Sequence, residues 1–259
     1  AINGCKAGAQ WERALHMLSE MRSKMLEPTV ISYSAAISVC EHGDQWERAL
    51  GMLSEMQNQR LEADVISYSA AISACEKCHQ WQGAMLLLLE MRSSNTVLNT
   101  ITCSAAISAC EKSLQWQLAL WLLEEMRRDD IAMDTITYSA AISACEKGQQ
   151  WQDALRLLVE MRSDHILPDT IIYSAAMSAC EVGQQWQSAL ELLGEMRRHR
   201  IQPDTIACTA AISACSMRCQ WAEALCVLTE MQQQRIAPDV ITYGPSISAC
   251  QQGQQPELA

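Results

Sequence analysis

The chain has 259 residues, 49% of them hydrophobic, and its 30 acidic side chains against 19 basic ones leave a net charge of −11. That balance lacks the broad basic footprint usual in nucleic-acid binders and would suit a basic partner. No apolar run approaches the roughly 20 residues that a helical membrane span needs, which excludes one.

Length alone would fit one or two globular domains, but the sequence repeats itself. Tryptophan falls at Trp11, Trp46, Trp81, Trp116, Trp151, Trp186 and Trp221, a step of 35 residues each time, and only Trp121 is out of phase. Cysteine keeps the same interval at Cys5, Cys40, Cys75, Cys110, Cys145, Cys180, Cys215 and Cys250. A period between about 20 and 50 residues is the mark of a stacked array. In chain order the units are a partial repeat 1–29, complete repeats 30–64, 65–99, 100–134, 135–169, 170–204 and 205–239, and a partial repeat 240–259. The expectation is a single array over 1–259. Beginning in mid-repeat at Ala1 and stopping at Ala259 before another unit closes, it is expected to be a fragment or a processed form.

Each unit predicts two helices. In 135–169, Tyr138, Ala141, Ile142 and Cys145 sit at i, i+3, i+4 and i+7, and Trp151, Ala154, Leu155, Leu158 and Met161 continue that spacing in a second stretch. Gly148 separates the two and is expected to end the first helix in the left-handed conformation. After Met161, "RSDHILPD" ends the second helix at Pro168, and Asp169 or Thr170 can cap the next one. Pro28, Pro203 and Pro238 hold the same place. Neither helix buries its stripe alone, so hairpins must stack into a superhelix, with the alanine-rich first helices inside. The tryptophans are expected in the core, because the chain has no phenylalanine.

Equivalent residues of stacked helices lie about 10 Å apart, beyond the roughly 7 Å Cα limit of a disulfide. The phased cysteines therefore read as buried thiols in a reducing compartment. Outside the apolar stripe of the first helix, Ser139, Ser143 and Glu146 form a polar ladder repeated unit by unit, a spacing suited to an extended polymer. Glutamates at Glu20, Glu55, Glu90, Glu125, Glu160, Glu195 and Glu230 read as a solvated row pairing with arginines such as Arg92 and Arg162.

Catalytic signals are weak. Cys75 and Cys78 form one "CEKC" without the second pair a zinc site needs, and Cys215 with Cys219 is no stronger. His16, His42, His79, His165 and His199 share no repeat position, and there is no glycine-rich phosphate loop. The expectation is a non-enzyme without metal, cofactor or small-molecule substrate.

A 35-residue hairpin with "VISYSAAISAC" opening the first helix, "ALRLLVEM" in the second and "PD" at the join resembles the P-type pentatricopeptide repeat (PPR) family over essentially the whole chain. Tryptophan stands where the land-plant form usually has leucine. The resemblance implies an all-α fold, a right-handed α-solenoid of tandem 35-residue helix-turn-helix repeats. It also implies one RNA base per repeat, read by the fifth and last residues and sandwiched at the second. Those pairs would be Ser34 with Asp64, Ser69 with Asn99, Ser104 with Asp134, Ser139 with Asp169, Ser174 with Asp204, and Thr209 with Asp239. The sandwiching residues would be Ile31, Ile66, Ile101, Ile136, Ile171 and Ile206. Lys77, Lys112 and Lys147 would approach phosphates. The implied partner is single-stranded RNA reading GAGGGG, in mitochondrial or plastid RNA processing, stability or translation. Gly244 and Pro245 in the last partial unit would read nothing. The alternative function is a protein-interaction scaffold or a subunit of a larger assembly, which the acidic charge favours.

Overall fold

A computed structural model describes residues 11–94 and 96–253. The expectation for Cys5 lies outside them. Among the described residues there are fourteen α-helices and no strand. They are α1 (Trp11–Ser23), α2 (Val30–His42), α3 (Trp46–Asn58), α4 (Val65–Lys77), α5 (Trp81–Ser93), α6 (Thr100–Lys112), α7 (Trp116–Arg128), α8 (Thr135–Lys147), α9 (Trp151–Ser163), α10 (Thr170–Val182), α11 (Trp186–Arg198), α12 (Thr205–Met217), α13 (Trp221–Gln233) and α14 (Val240–Gln252). Even-numbered helices open the repeats and odd-numbered ones close them. The fold is the expected all-α solenoid of helical hairpins.

The chain forms two compact units, Ala1–Thr137 and Tyr138–Ala259. In the first, α2 packs on α4 and α4 on α6, while α3, α5 and α7 close hairpins with their own first helices. In the second, α10 packs on α12 and α12 on α14, with α11 and α13 closing theirs. Within each unit these first helices thus stack directly on one another. Small residues permit this: Ala36, Ala71 and Ala106 in the first unit and Ala141, Ala176 and Ala211 in the second are fully buried. Bulk comes from Tyr33, Tyr68, Tyr138 and Tyr173 on first helices and from Met56, Met91, Met161 and Met196 on second ones. The phased cysteines from Cys40 to Cys250 are buried and unbridged. Burial pushes Cys75, Cys110, Cys145, Cys180 and Cys215 up to about 12.

Two local expectations need correction. The left-handed residue of the hairpin is not the glycine: no described glycine has positive φ, and Gln149 (φ 58°) and Gln184 (φ 54°) take that conformation instead. The turn closes through Gln150 N–H to the Cys145 carbonyl at 2.8 Å, a Schellman-type bond. Glycine is present for space. A Cβ at Gly43, Gly183 or Gly253 would come within 2.4, 2.3 and 2.2 Å of Cδ1 of Trp11, Trp151 and Trp221.

The second correction follows from the first. Trp151 and its phased counterparts are half-buried, not core. Each opens its second helix at the rim of the hairpin, and in these three cases its ring lies over the turn of the following repeat. The tryptophan is therefore a clamp between neighbours.

The glutamate row pairs with Arg92 and Arg162 as expected, from one repeat to the next, while Glu20 and Glu160 pair with Lys24 and Arg156 of their own helices. Arg92 Nη1 reaches Glu125 of the next repeat at 2.7 Å and its Nη2 reaches Asp129 at 2.5 Å. Arg22 pairs with Glu55 at 2.5 Å, Arg162 with Glu195, and Arg197 with Glu230. Residues two apart on a helix, such as Glu90 and Arg92, do not face each other. The arginine turns to the neighbouring repeat instead.

Candidate nucleic-acid interface

The last residue of each repeat begins the next helix. Asp64, Asn99, Asp169, Asp204 and Asp239 have extended backbone at the N-cap, and their side chains accept the amide of the third residue beyond. The distances are 2.9 Å from Ser67, 2.9 Å from Thr102, 3.0 Å from Ile172, 2.8 Å from Ala207 and 2.8 Å from Thr242. Asp134 accepts from Thr137 at 2.8 Å in the same way. Asp169, not Thr170, is thus the cap. In each of the five N-cap aspartates, Asp64, Asp134, Asp169, Asp204 and Asp239, the hydrogen bonds from described residues end on Oδ1, so Oδ2 is left as an acceptor. Local folding has put a carboxylate with one committed and one open oxygen at the start of five helices.

The fifth residues lie beside them, but not as an open ladder. Ser34, Ser104 and Ser174 are buried, and Ser69, Ser139 and Thr209 are half-buried. The hydroxyls of Ser34, Ser69 and Ser104 donate to the carbonyls of Ile31, Ile66 and Ile101 at 3.2, 3.1 and 3.1 Å. A small side chain against a neighbouring first helix finds its nearest acceptor in its own backbone. Ser174 likewise donates to the Thr170 carbonyl, at 2.7 Å, and its Oγ also lies 3.0 Å from Asp204 Oδ1, so the fifth and last residues of this repeat touch while sharing a single hydroxyl proton with the backbone. Thr209 Oγ1 lies 2.8 Å from Thr242 Oγ1, and Thr242 Oγ1 donates to Asp239 at 2.8 Å.

The second residues are the exposed ones. Ile31 is 75% accessible, and Ile66, Ile101, Ile136, Ile171 and Ile206 lie between 62% and 66%. Ile241 continues the row at 70%. Single exposed apolar residues are ordinary, but recurrence at one position makes, within each of the two units, a stripe that the core does not require.

The lysines are engaged. Lys77 pairs with Glu41 at 3.2 Å and Lys112 with Glu76 at 2.9 Å, each on the preceding repeat. These partly exposed pairs are weak enough to exchange for another anion. In the "CEKC" segment Cys75 is fully buried, whereas Cys78 Sγ donates to the Asp44 carbonyl at 3.3 Å. What sequence reading missed is the third residue of each repeat, Ser67, Thr102, Thr137 and Thr242, whose hydroxyls bind the preceding cap. The signal was present as a hydroxyl three residues beyond an aspartate or asparagine.

A pentatricopeptide repeat domain profile matches residues 2–42, 121–182 and 191–252, and a PPR repeat profile matches 31–61, 66–96, 101–131 and 171–201. No curated protein sequence matches the chain. Among solved structures, the fold is similar to that of the pentatricopeptide repeat protein PPR10 from maize, with TM-score 0.65 and 22% identity over 95% of this chain. It is also similar to PPR10 in complex with an 18-nt psaJ RNA element, with TM-score 0.58, 20% identity and 95% of this chain covered. A third likeness is the PPR domain of Arabidopsis thaliana protein-only RNase P 1 in complex with tRNA, with TM-score 0.62 and 13% identity over 70% of this chain and 95% of that one. The chain spans only 35% of the first PPR10 structure and 40% of the second. Repeat profiles covering well over half of the residues, on hairpins of matching period, make this chain a member of the pentatricopeptide repeat family.

Proposed function

We propose that the chain binds single-stranded RNA with one base per repeat, reading GAGGGG in parallel with the chain. The observation that carries this reading is the recurrence, repeat by repeat, of an exposed second-position isoleucine, such as Ile171 and Ile206, beside an N-cap aspartate or asparagine whose cap bond uses one side-chain oxygen. A base entering between two such isoleucines would bury apolar surface on both faces. The open Oδ2 of the aspartate accepts from guanine N1 and N2 hydrogens, whereas the Asn99 amide offers a donor and an acceptor to adenine. Readout of unstacked bases by helical repeats is a known physical route to sequence-specific RNA binding. Two solved relatives of the same fold hold RNA, which supports the class of ligand. Lys77, Lys112 and Lys147 would neutralise phosphates, against an overall charge of −11 that makes binding modest and salt-sensitive. The setting proposed on family grounds is RNA processing, stability or translation in a mitochondrion or plastid.

The test compares retention of GAGGGG and UCUUUU oligonucleotides at two salt concentrations. Preferential retention of GAGGGG is expected, and Asn99→Asp should move the preference at the second base from A to G. Equal or absent retention removes base reading and leaves a protein-binding scaffold.

A further inference from the structure

In this reading each last residue must hold one acceptor toward a base, and a third side chain governs how it does so. Ser67 and Thr137 each place two donors on a single carboxylate oxygen. On Asp64 Oδ1 these are the Ser67 amide at 2.9 Å and its hydroxyl at 2.7 Å; on Asp134 Oδ1 they are the Thr137 amide at 2.8 Å and its hydroxyl at 2.7 Å. Thr242 does the same to Asp239, with both donors at 2.8 Å. Its hydroxyl also touches Thr209, so one fully buried group joins both members of a reading pair. The Thr242 hydroxyl, ahead of its amide, holds the Asp239 carboxyl below the usual carboxylate range.

Two repeats lack this hydroxyl. With Ala207 in its place, Asp204 keeps the amide at 2.8 Å, and beside it lies the Ser174 hydroxyl, 3.0 Å from the same Oδ1 but nearer, at 2.7 Å, to the Thr170 carbonyl. With Ile172 in its place, Asp169 is held by the amide alone, at 3.0 Å.

We infer that the third residue of the following repeat is a positioning residue for base selection, its hydroxyl fixing the carboxylate so that Oδ2 meets the base. The inference rests on the base-reading function proposed above. It divides the predicted target into bases read stringently and bases read loosely. The first, third and sixth bases fall to carboxylates held by Ser67, Thr137 and Thr242; the fourth and fifth fall to those followed by Ile172 and Ala207.

The experiment uses the full chain and RNAs that differ from GAGGGG at one base. Thr137→Val keeps the shape and the amide cap but removes the hydroxyl. The preference for GAGGGG over GAAGGG should fall about five- to tenfold, the worth of one hydrogen bond, while the preference over GAGAGG is unchanged. Thr137→Ser should restore it. The reverse change, Ala207→Ser, should raise the preference over GAGGAG by a similar factor. A merely structural cap would weaken all RNAs alike, and unchanged ratios in these variants overturn the inference. Should Thr137→Val not fold, the ratio measured for Ala207→Ser decides alone. A wild-type chain without preference at any base overturns base reading itself, which is a different result from an unchanged ratio in a discriminating chain.

Discussion

Gly183 lies directly under the indole of Trp151, one repeat earlier in the chain, and a single added carbon at Gly183 would stand 2.3 Å from the ring's Cδ1. The contact makes a glycine that looks like a turn former into a packing requirement between repeats. Gly183→Ala should cost about 1–3 kcal/mol by overpacking. By contrast, nothing lies within 4 Å of a Cβ at Gly194, in the middle of α11. Gly194→Ala should therefore stabilise the chain by up to about 1 kcal/mol through helix propensity. Urea denaturation of the two variants should move in opposite directions. Equal shifts would contradict the clamp.

Exposure separates the proposed reading surface from the core. Ile66 and Ile101 are 62% and 64% accessible, so the double replacement by alanine should change stability by under about 1 kcal/mol, as surface substitutions do. If the two side chains sandwich a base, affinity for GAGGGG should drop about tenfold or more, since about 0.8 kcal/mol is lost for each CH2 no longer buried. Fluorescence anisotropy beside a melting curve distinguishes the two effects.

Ion pairing between repeats is a minor source of cohesion. Arg92 bridges Glu125 and Asp129 from a partly exposed position. Arg92→Gln should cost about 0.5–1 kcal/mol at low salt, and the difference should shrink at high salt. Denaturation at two ionic strengths measures it.

The buried thiols predict a pH dependence. In the fold, Cys75, Cys110, Cys145, Cys180 and Cys215 sit near 12, raised by burial from an ordinary 9.0. A thiol whose folded value lies above its unfolded one favours the fold fully below the unfolded value. That contribution is lost as the pH rises from about 9 toward 12, because only the unfolded chain releases its proton there. Denaturation midpoints should thus fall between neutral pH and about pH 10. In the native chain iodoacetamide should modify the exposed Cys219 and Cys226 well before the buried series.

Much of this architecture was legible in the residues, because a period of 35 with i, i+3, i+4, i+7 stripes admits few alternatives to stacked hairpins. Helix starts were legible as well: Asp169 and Asp204 are good N-caps wherever they occur, since the cap bond is made within four residues. What could not be read was any feature depending on a neighbour 30 or more residues away. Trp151 looked like core by composition, yet its burial is decided by the turn at Gly183. Which glutamate Arg92 meets, Glu125 of the next repeat, was likewise decided by stacking.

The candidate site divides along the same line. A family likeness nominated Ser174 and Asp204, but only packing of α10 against α12 brings their oxygens to 3.0 Å. The hydroxyl of Thr242 escaped notice because a threonine three residues into a helix is unremarkable until its partner Thr209 appears across the repeat boundary. Period, helices and caps were determined by the sequence itself, since short-range hydrogen bonds and stripe spacing are local properties. Which side of each helix is covered, and which polar atoms meet, was decided by the tertiary structure, because those depend on the distance of approach between stacked backbones.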